Sequence, residues 1–151
     1  RPGEIIVACT DVTQAAEVIG RPAIVAPTTE YNELVASLDT AILRPRLQGL
    51  SRAFLYFLAG SQPFTNHAIA HTTGTTVLHL KPDAMLRFSF SRIPPEIISE
   101  FSLFGEPIIE RLLICNTEIR TLSALRDALL PKLIYGELRV PEAEQLVSEV
   151  A

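Results

Sequence analysis

The chain has 151 residues, 48% hydrophobic and 20% charged, enough apolar content to bury a core and too little charge for a disordered segment. Its formal net charge of −4 argues against a nucleic-acid partner only as a whole-chain average. Residues 1–93 hold eight Lys/Arg against seven Asp/Glu and residues 94–151 hold five against ten, so only the front part is suited to approach phosphate.

The opening Arg1-Pro2-Gly3-Glu4 is not a secretory signal and carries no Met, so the chain reads as a fragment that opens in mid-pattern. Glu4 to Cys9 is a short β-branched run after Pro-Gly, which suits a strand. Ala23 to Ala26, between Pro22 and Pro27, suits another. Leu34 to Leu43 alternates in part and reads as one or two strands, stopped by Arg44-Pro45. Ser51 is a candidate helix cap before Phe54, Leu55 and Leu58, which recur at helical spacing. Phe64 to Ala70 resumes a helix, and the run Thr72 to Thr76 ends it as a turn, because Thr side chains bond their own backbone. Val77 to Leu80 is a short strand, Lys81-Pro82-Asp83 a turn or a helix start. Leu86 to Ile93 alternates Leu86, Phe88, Phe90 with Arg87, Ser89, Ser91 and predicts a half-buried strand.

From Pro94-Pro95 the pattern is helical to about Leu130, punctuated at Gly105-Glu106-Pro107. Ile108, Leu112, Cys115, Ile119 and Leu122 then recur at four, three, four and three, continued by Leu125 and Leu129, close to a heptad seam. A helix of about 25 residues is about 38 Å long, more than a domain this small covers, so this stripe predicts packing against another long helix, within this chain or from a partner. Pro131 marks its end within a turn, and Pro141 to Val150 suits a short terminal helix. No apolar run approaches the roughly 20 residues that span a bilayer. The expected architecture is α+β: a mixed α/β domain over residues 1–93, then a coiled-coil-type helix and tail over residues 94–151.

These elements, in this order, resemble the DNA-specificity subunit of type I restriction–modification enzymes. Four segments carry the likeness: Pro2 to Thr10, Ala53 to Leu58 (AFLYFL), Thr73 to Leu80 (TGTTVLHL), and Ile93-Pro94-Pro95 with its long helix ending in Thr121 to Val140 (TLSALRDALLPKLIYGELRV). The last is the most specific. The resemblance implies one target-recognition half, shortened at its start, that reads half of a bipartite site in double-stranded DNA. It implies a conserved helix that sets spacing and docks the modification (methyltransferase) subunit, and through it the restriction subunit. Such a protein is cytoplasmic and not an enzyme. A lone helix of this kind is expected to self-associate as a homodimer.

Catalytic motifs are lacking. There is no GxxxxGK[ST] loop, no GxGxxG after a strand and no methyltransferase motif, so no cofactor is expected. His67 and His71 share a helical face, but no Glu stands at HExxH spacing. Cys9 and Cys115 lie in different segments without metal-ligand spacing and read as buried free thiols of a reducing compartment. Candidate DNA contacts are therefore polar and basic loops. Thr73, Gly74, Thr75, Thr76 and Lys81 can approach phosphates or base edges. Arg44 and Arg46, with Arg52 nearby, form the densest basic cluster and suit phosphate positioning. Thr10, Asp11, Thr13 and Gln14 follow the first strand; Gln pairs well with adenine and Asp accepts from cytosine. The rival expectation is a protein-interaction fragment that docks a methyltransferase or itself and no longer binds DNA alone.

Overall fold

The computed structural model describes residues 1–13, 15–28, 30–46 and 49–150. It is a mixed α/β domain followed by a long helix. The chain divides into two compact units, Arg1–Leu113 and Ile114–Ala151.

The first unit holds two small sheets. β1 (Ile5–Ala8) is the middle strand of the first, between β3 (Pro22–Ile24) and β4 (Thr40–Leu43), all antiparallel. Ile5 and Val7 face the core while Ile6 and Ala8 face outward, as the two-residue period of a strand requires. The second sheet has β6 (Leu78–Leu80) between β2 (Thr10–Asp11) and β5 (Thr72–Thr73). Cys9 links the sheets: its N–H donates to the Asp39 carbonyl at 2.7 Å and its carbonyl accepts from Leu80 at 2.8 Å. Val7, Ile19, Ala59, Phe64, Ala68, Leu80 and Met85 form the buried cluster between the sheets and the short helices.

α1 (Arg52–Ala59) starts where expected. The Ser51 Oγ accepts from the Phe54 N–H at 3.0 Å, satisfying one of the donors a helix start leaves open. α2 (Gln62–Ala70) repeats the device with Ser61, with Pro63 in its first turn, where its missing N–H costs nothing.

Four expectations are corrected. Leu34 to Leu43 is strand only over Thr40–Leu43. Ahead of it, Ser37 bonds locally: its Oγ accepts from the Asp39 N–H, and its carbonyl accepts from the Thr40 N–H and hydroxyl, so the backbone turns instead of extending. Leu86 to Ile93 is not a strand. Pro82 and Asp83 open α3 (Pro82–Leu86), and the following residues run without a strand partner. Phe88 packs edge-on to Phe64 at 5.2 Å and Phe90 packs on Phe54 at 6.2 Å between ring centroids, so the alternation reports aromatic packing onto helices. Thr72-Thr73 is strand β5 and not a turn, because β6 offers it a free edge. Of the two thiols, Cys9 is buried but Cys115 is only half-buried.

α4 (Pro95–Ile134) runs for 40 residues, through Gly105-Glu106-Pro107 and through Pro131. Within the first unit it locks onto α1. Gly105 is buried, and a Cβ there would lie 2.8 Å from the Ala53 Cβ, so glycine allows the two helices to touch. Glu106 Oε1 accepts from the Ala53 N–H at 2.9 Å and Oε2 from Arg52 Nη2 at 2.7 Å. The Ser102 and Ser51 hydroxyls are hydrogen-bonded to each other at 2.6 Å, while Ser102 also bonds the Ile98 carbonyl. α4 thus completes the N-terminal cap of α1 from outside. Ile109, one turn on, is fully buried. The second unit comprises the end of α4, a turn, and α5 (Val140–Val150).

Candidate nucleic-acid interface

The second sheet gathers part of the expected contact set. Its register pairs His79 with Thr10 on one side and with Thr73 on the other. Directly paired residues point to the same side of a sheet, so Thr10, His79 and Thr73 form one row across three strands. His79 and Thr73 are exposed and Thr10 half-buried, whereas Leu80, one step along β6, is buried. Lys81 is two residues beyond His79 in extended backbone (φ −73, ψ 133) and is exposed, with no capping bond from its side chain. It continues the outward side.

The hydroxyls of the row are directed at protein atoms. Thr10 donates to Asp39 Oδ1 at 2.6 Å, and Thr73 to the His79 carbonyl at 3.5 Å. Between β5 and β6, Gly74 has φ +109, and a Cβ there would strike the Val77 carbonyl oxygen at 2.0 Å. Only glycine closes this turn. The turn carries Thr75 and the exposed Thr76 outward.

Asp11 has a different task from the one its residue type suggested. It is buried. Its Oδ1 accepts from the Thr13 N–H at 2.8 Å and the Thr13 hydroxyl at 2.7 Å, and its Oδ2 from the Val18 and Ile19 N–H groups at 2.8 and 3.2 Å. These bonds, led by that from Val18, hold the carboxyl well below the usual carboxylate range despite the opposing cost of desolvation. Asp11 is a loop anchor with no oxygen turned to a base, and Thr13, though exposed, spends its hydroxyl proton on it. Gln14 lies outside the described residues.

The basic cluster does not join the row. Arg44 and Arg46 follow β4 at the end where Leu43 pairs with Ile5, whereas Thr40 pairs with Ala8 next to the second sheet. The two groups are separated by the length of β1, about 13 Å for four residues. Arg44 is also ion-paired with Glu4 at 2.7 Å through its Nε, and Arg52 is committed to Glu106. Arg46 is exposed. His67 and His71 do stack, with ring centroids 4.2 Å apart, but each is tied to backbone: His67 Nε2 to the Ala84 carbonyl and His71 Nδ1 to the His67 carbonyl, both at 2.8 Å. Among the described residues no group of three or more His, Cys, Asp or Glu could hold a metal. No helix among them is long and apolar enough to cross a membrane.

The helical stripe is largely exposed along this chain. In the first unit Ile108 and Leu112 are exposed. In the second, Ile119 and Leu122 are 59% and 63% exposed, while Cys115, Leu125 and Leu129 are half-buried. None of the seven is in a core, and neighbouring Ile109 takes that role. His79 is the outward member of the row that spacing alone did not single out; the Leu78-His79-Leu80 alternation held the signal, with Leu80 buried and His79 exposed.

No family model matches the chain. Over 70 residues it is 40% identical to the type I restriction enzyme MjaIX specificity subunit of Methanocaldococcus jannaschii. This is distant, partial homology to a type I specificity subunit. The match takes in 46% of the chain but 16% of the relative, so the chain spans about a sixth of the length of the curated protein it matches.

Proposed function

We propose that the chain is a non-catalytic DNA-specificity module of a type I restriction–modification complex, which reads one half of a bipartite site and docks the modification subunit. The observation that carries this reading is the 40% identity over 70 residues to a protein named as a specificity subunit. The outward row Thr10, His79 and Thr73, with Thr76 and Lys81 beside it, supports it as a surface that a duplex can meet without first displacing protein. Its function is positioning: residues 1–93 form the recognition domain, and the helix of residues 94–151 supplies a coiled-coil seam through Ile108, Leu112, Cys115, Ile119, Leu122, Leu125 and Leu129. Methylation and cleavage belong to partner subunits. Arg46 and Lys81 contribute phosphate contacts, and Arg44 does so after releasing Glu4.

A second reading is favoured by one observation, the exposed apolar stripe of α4 in a part of the chain with five Lys/Arg and ten Asp/Glu. Such a helix suits protein partners better than phosphate. On that reading the fragment docks a methyltransferase or a second copy without binding DNA. A mobility shift across a salt series separates the two: retardation of duplex that weakens as salt rises supports the DNA module. No retardation at low salt, together with capture of the modification subunit, refutes it in favour of the docking fragment.

A further inference from the structure

We infer that His79 is the base-reading side chain of this surface, with Lys81 as its phosphate anchor, an assignment that rests on the DNA-module reading above. His79 is at the centre of the three-strand row, with Thr10 and Thr73 paired on either side. Both neighbours have already donated their hydroxyl protons, to Asp39 and to the His79 carbonyl. The imidazole is exposed and makes no hydrogen bond within the described protein, unlike His67 and His71. A neutral imidazole has one donor and one acceptor, so this is the one side chain of the row that offers both to a base edge.

A neighbouring charge fits it to a base and not to a phosphate. The Asp39 carboxylate, exposed and bonded to Thr10, places negative charge beside the centre of the row, which repels phosphate and favours the exocyclic amino donors of adenine or cytosine over the acceptor atoms of a base edge. A Cβ at Gly74 would stand 3.7 Å from His79 Cδ2, so one edge of the ring lies beside the glycine, which leaves it open. Lys81, two residues on, is an exposed, compact point charge, suited to phosphate and indifferent to sequence.

The test is selection from a random-sequence duplex library by the full 151-residue chain, followed by salt titration on a selected duplex. His79→Ala is expected to lose about fivefold or more of its preference at one base position with the salt slope unchanged, and His79→Gln to retain part of that preference. Lys81→Ala is expected to keep the preference and lower the salt slope by about 0.9. If the wild-type chain selects a sequence and His79→Ala selects the same one with equal stringency, the assignment of His79 is overturned and the DNA-module reading stands. If the wild-type chain retards no duplex at any salt, both are overturned. Thermal melts of the variants, expected to match wild type at these exposed positions, ensure that a lost preference is not lost folding.

Discussion

Gly105→Ala sets helix propensity against packing, and the structure decides the sign. In an isolated helix the change stabilises by about 1 kcal/mol, and burying one methyl adds about 0.8 kcal/mol. Here the new Cβ would lie 2.8 Å from the Ala53 Cβ and 3.3 Å from Phe101 Cε1. Carbon atoms prefer about 3.5–4.0 Å, and Ala53 has no side-chain torsion with which to retreat, so α1 and α4 must part by about 1 Å. Overpacking of this kind costs about 1–3 kcal/mol. The same displacement carries Glu106 Oε1 away from the Ala53 N–H, now at 2.9 Å, beyond bonding distance. A buried donor left without its partner costs about 1–3 kcal/mol more. The net expectation is destabilisation by about 2 kcal/mol, or about 4–8 °C in Tm for a chain of this size, read by thermal and urea denaturation. Ala53→Gly on the same background removes the opposing methyl, so the double variant should recover at least about 1 kcal/mol relative to additivity. A neutral or stabilised Gly105→Ala, or a double variant that is simply additive, would show that the two helices are not in the contact described.

Three other outcomes follow from the same contacts. Ile109→Ala, at a fully buried position, should cost about 2–4 kcal/mol in urea denaturation, whereas Leu103→Ala, 74% exposed two turns earlier, should cost under about 0.5 kcal/mol; equal costs would mean that α4 is docked by another face. Asp11→Asn should lower the urea midpoint at pH 7, and the gap from wild type should close as pH falls below about 4, where the unfolded wild type takes up the proton that the folded carboxylate resists; a pH-independent gap would contradict the anchoring bonds. If the helical seam joins two copies, Ile119→Glu with Leu122→Glu should weaken self-association in analytical ultracentrifugation by at least about a hundredfold, given about 1.5–3 kcal/mol for each buried side chain; a wild-type chain that stays monomeric at high concentration removes the seam.

The local signals that were legible share a physical character: each is decided by neighbours in sequence. Ser51 caps α1 because a hydroxyl three residues ahead of an N–H meets it whatever the rest of the fold does. The apolar run Ile5 to Ala8 is a central strand, with alternate residues buried. The long helix was legible from its period, and it continues through Pro107. What lay beyond the sequence was the set of partners. Phe88 and Phe90 alternate with polar residues as a strand would, yet whether they pair in a sheet or pack onto helices depends on Phe54 and Phe64, more than twenty residues earlier.

The same division explains the site. Residue type nominated Asp11 as a base contact, but a carboxylate followed closely by open backbone N–H groups is drawn to them first, and four donors among the described residues took it. Charge density nominated Arg44 and Arg52, yet each has a carboxylate within reach, Glu4 just ahead of the neighbouring strand β1 and Glu106 from a helix, 54 residues on from Arg52. Neither pairing has a local signature. The row Thr10, His79 and Thr73 exists only through a register that joins residues about seventy apart in the chain, and without it His79 is one of three histidines in a polar stretch. Residue types name the groups able to make a contact; the fold then removes those already satisfied. At this surface what remains uncommitted among the described residues, the Thr76 hydroxyl, the imidazole of His79 and the ammonium of Lys81, is a smaller and less basic set than composition suggested, because the fold has already spent the carboxylate of Asp11 and the guanidinium of Arg44 on protein partners.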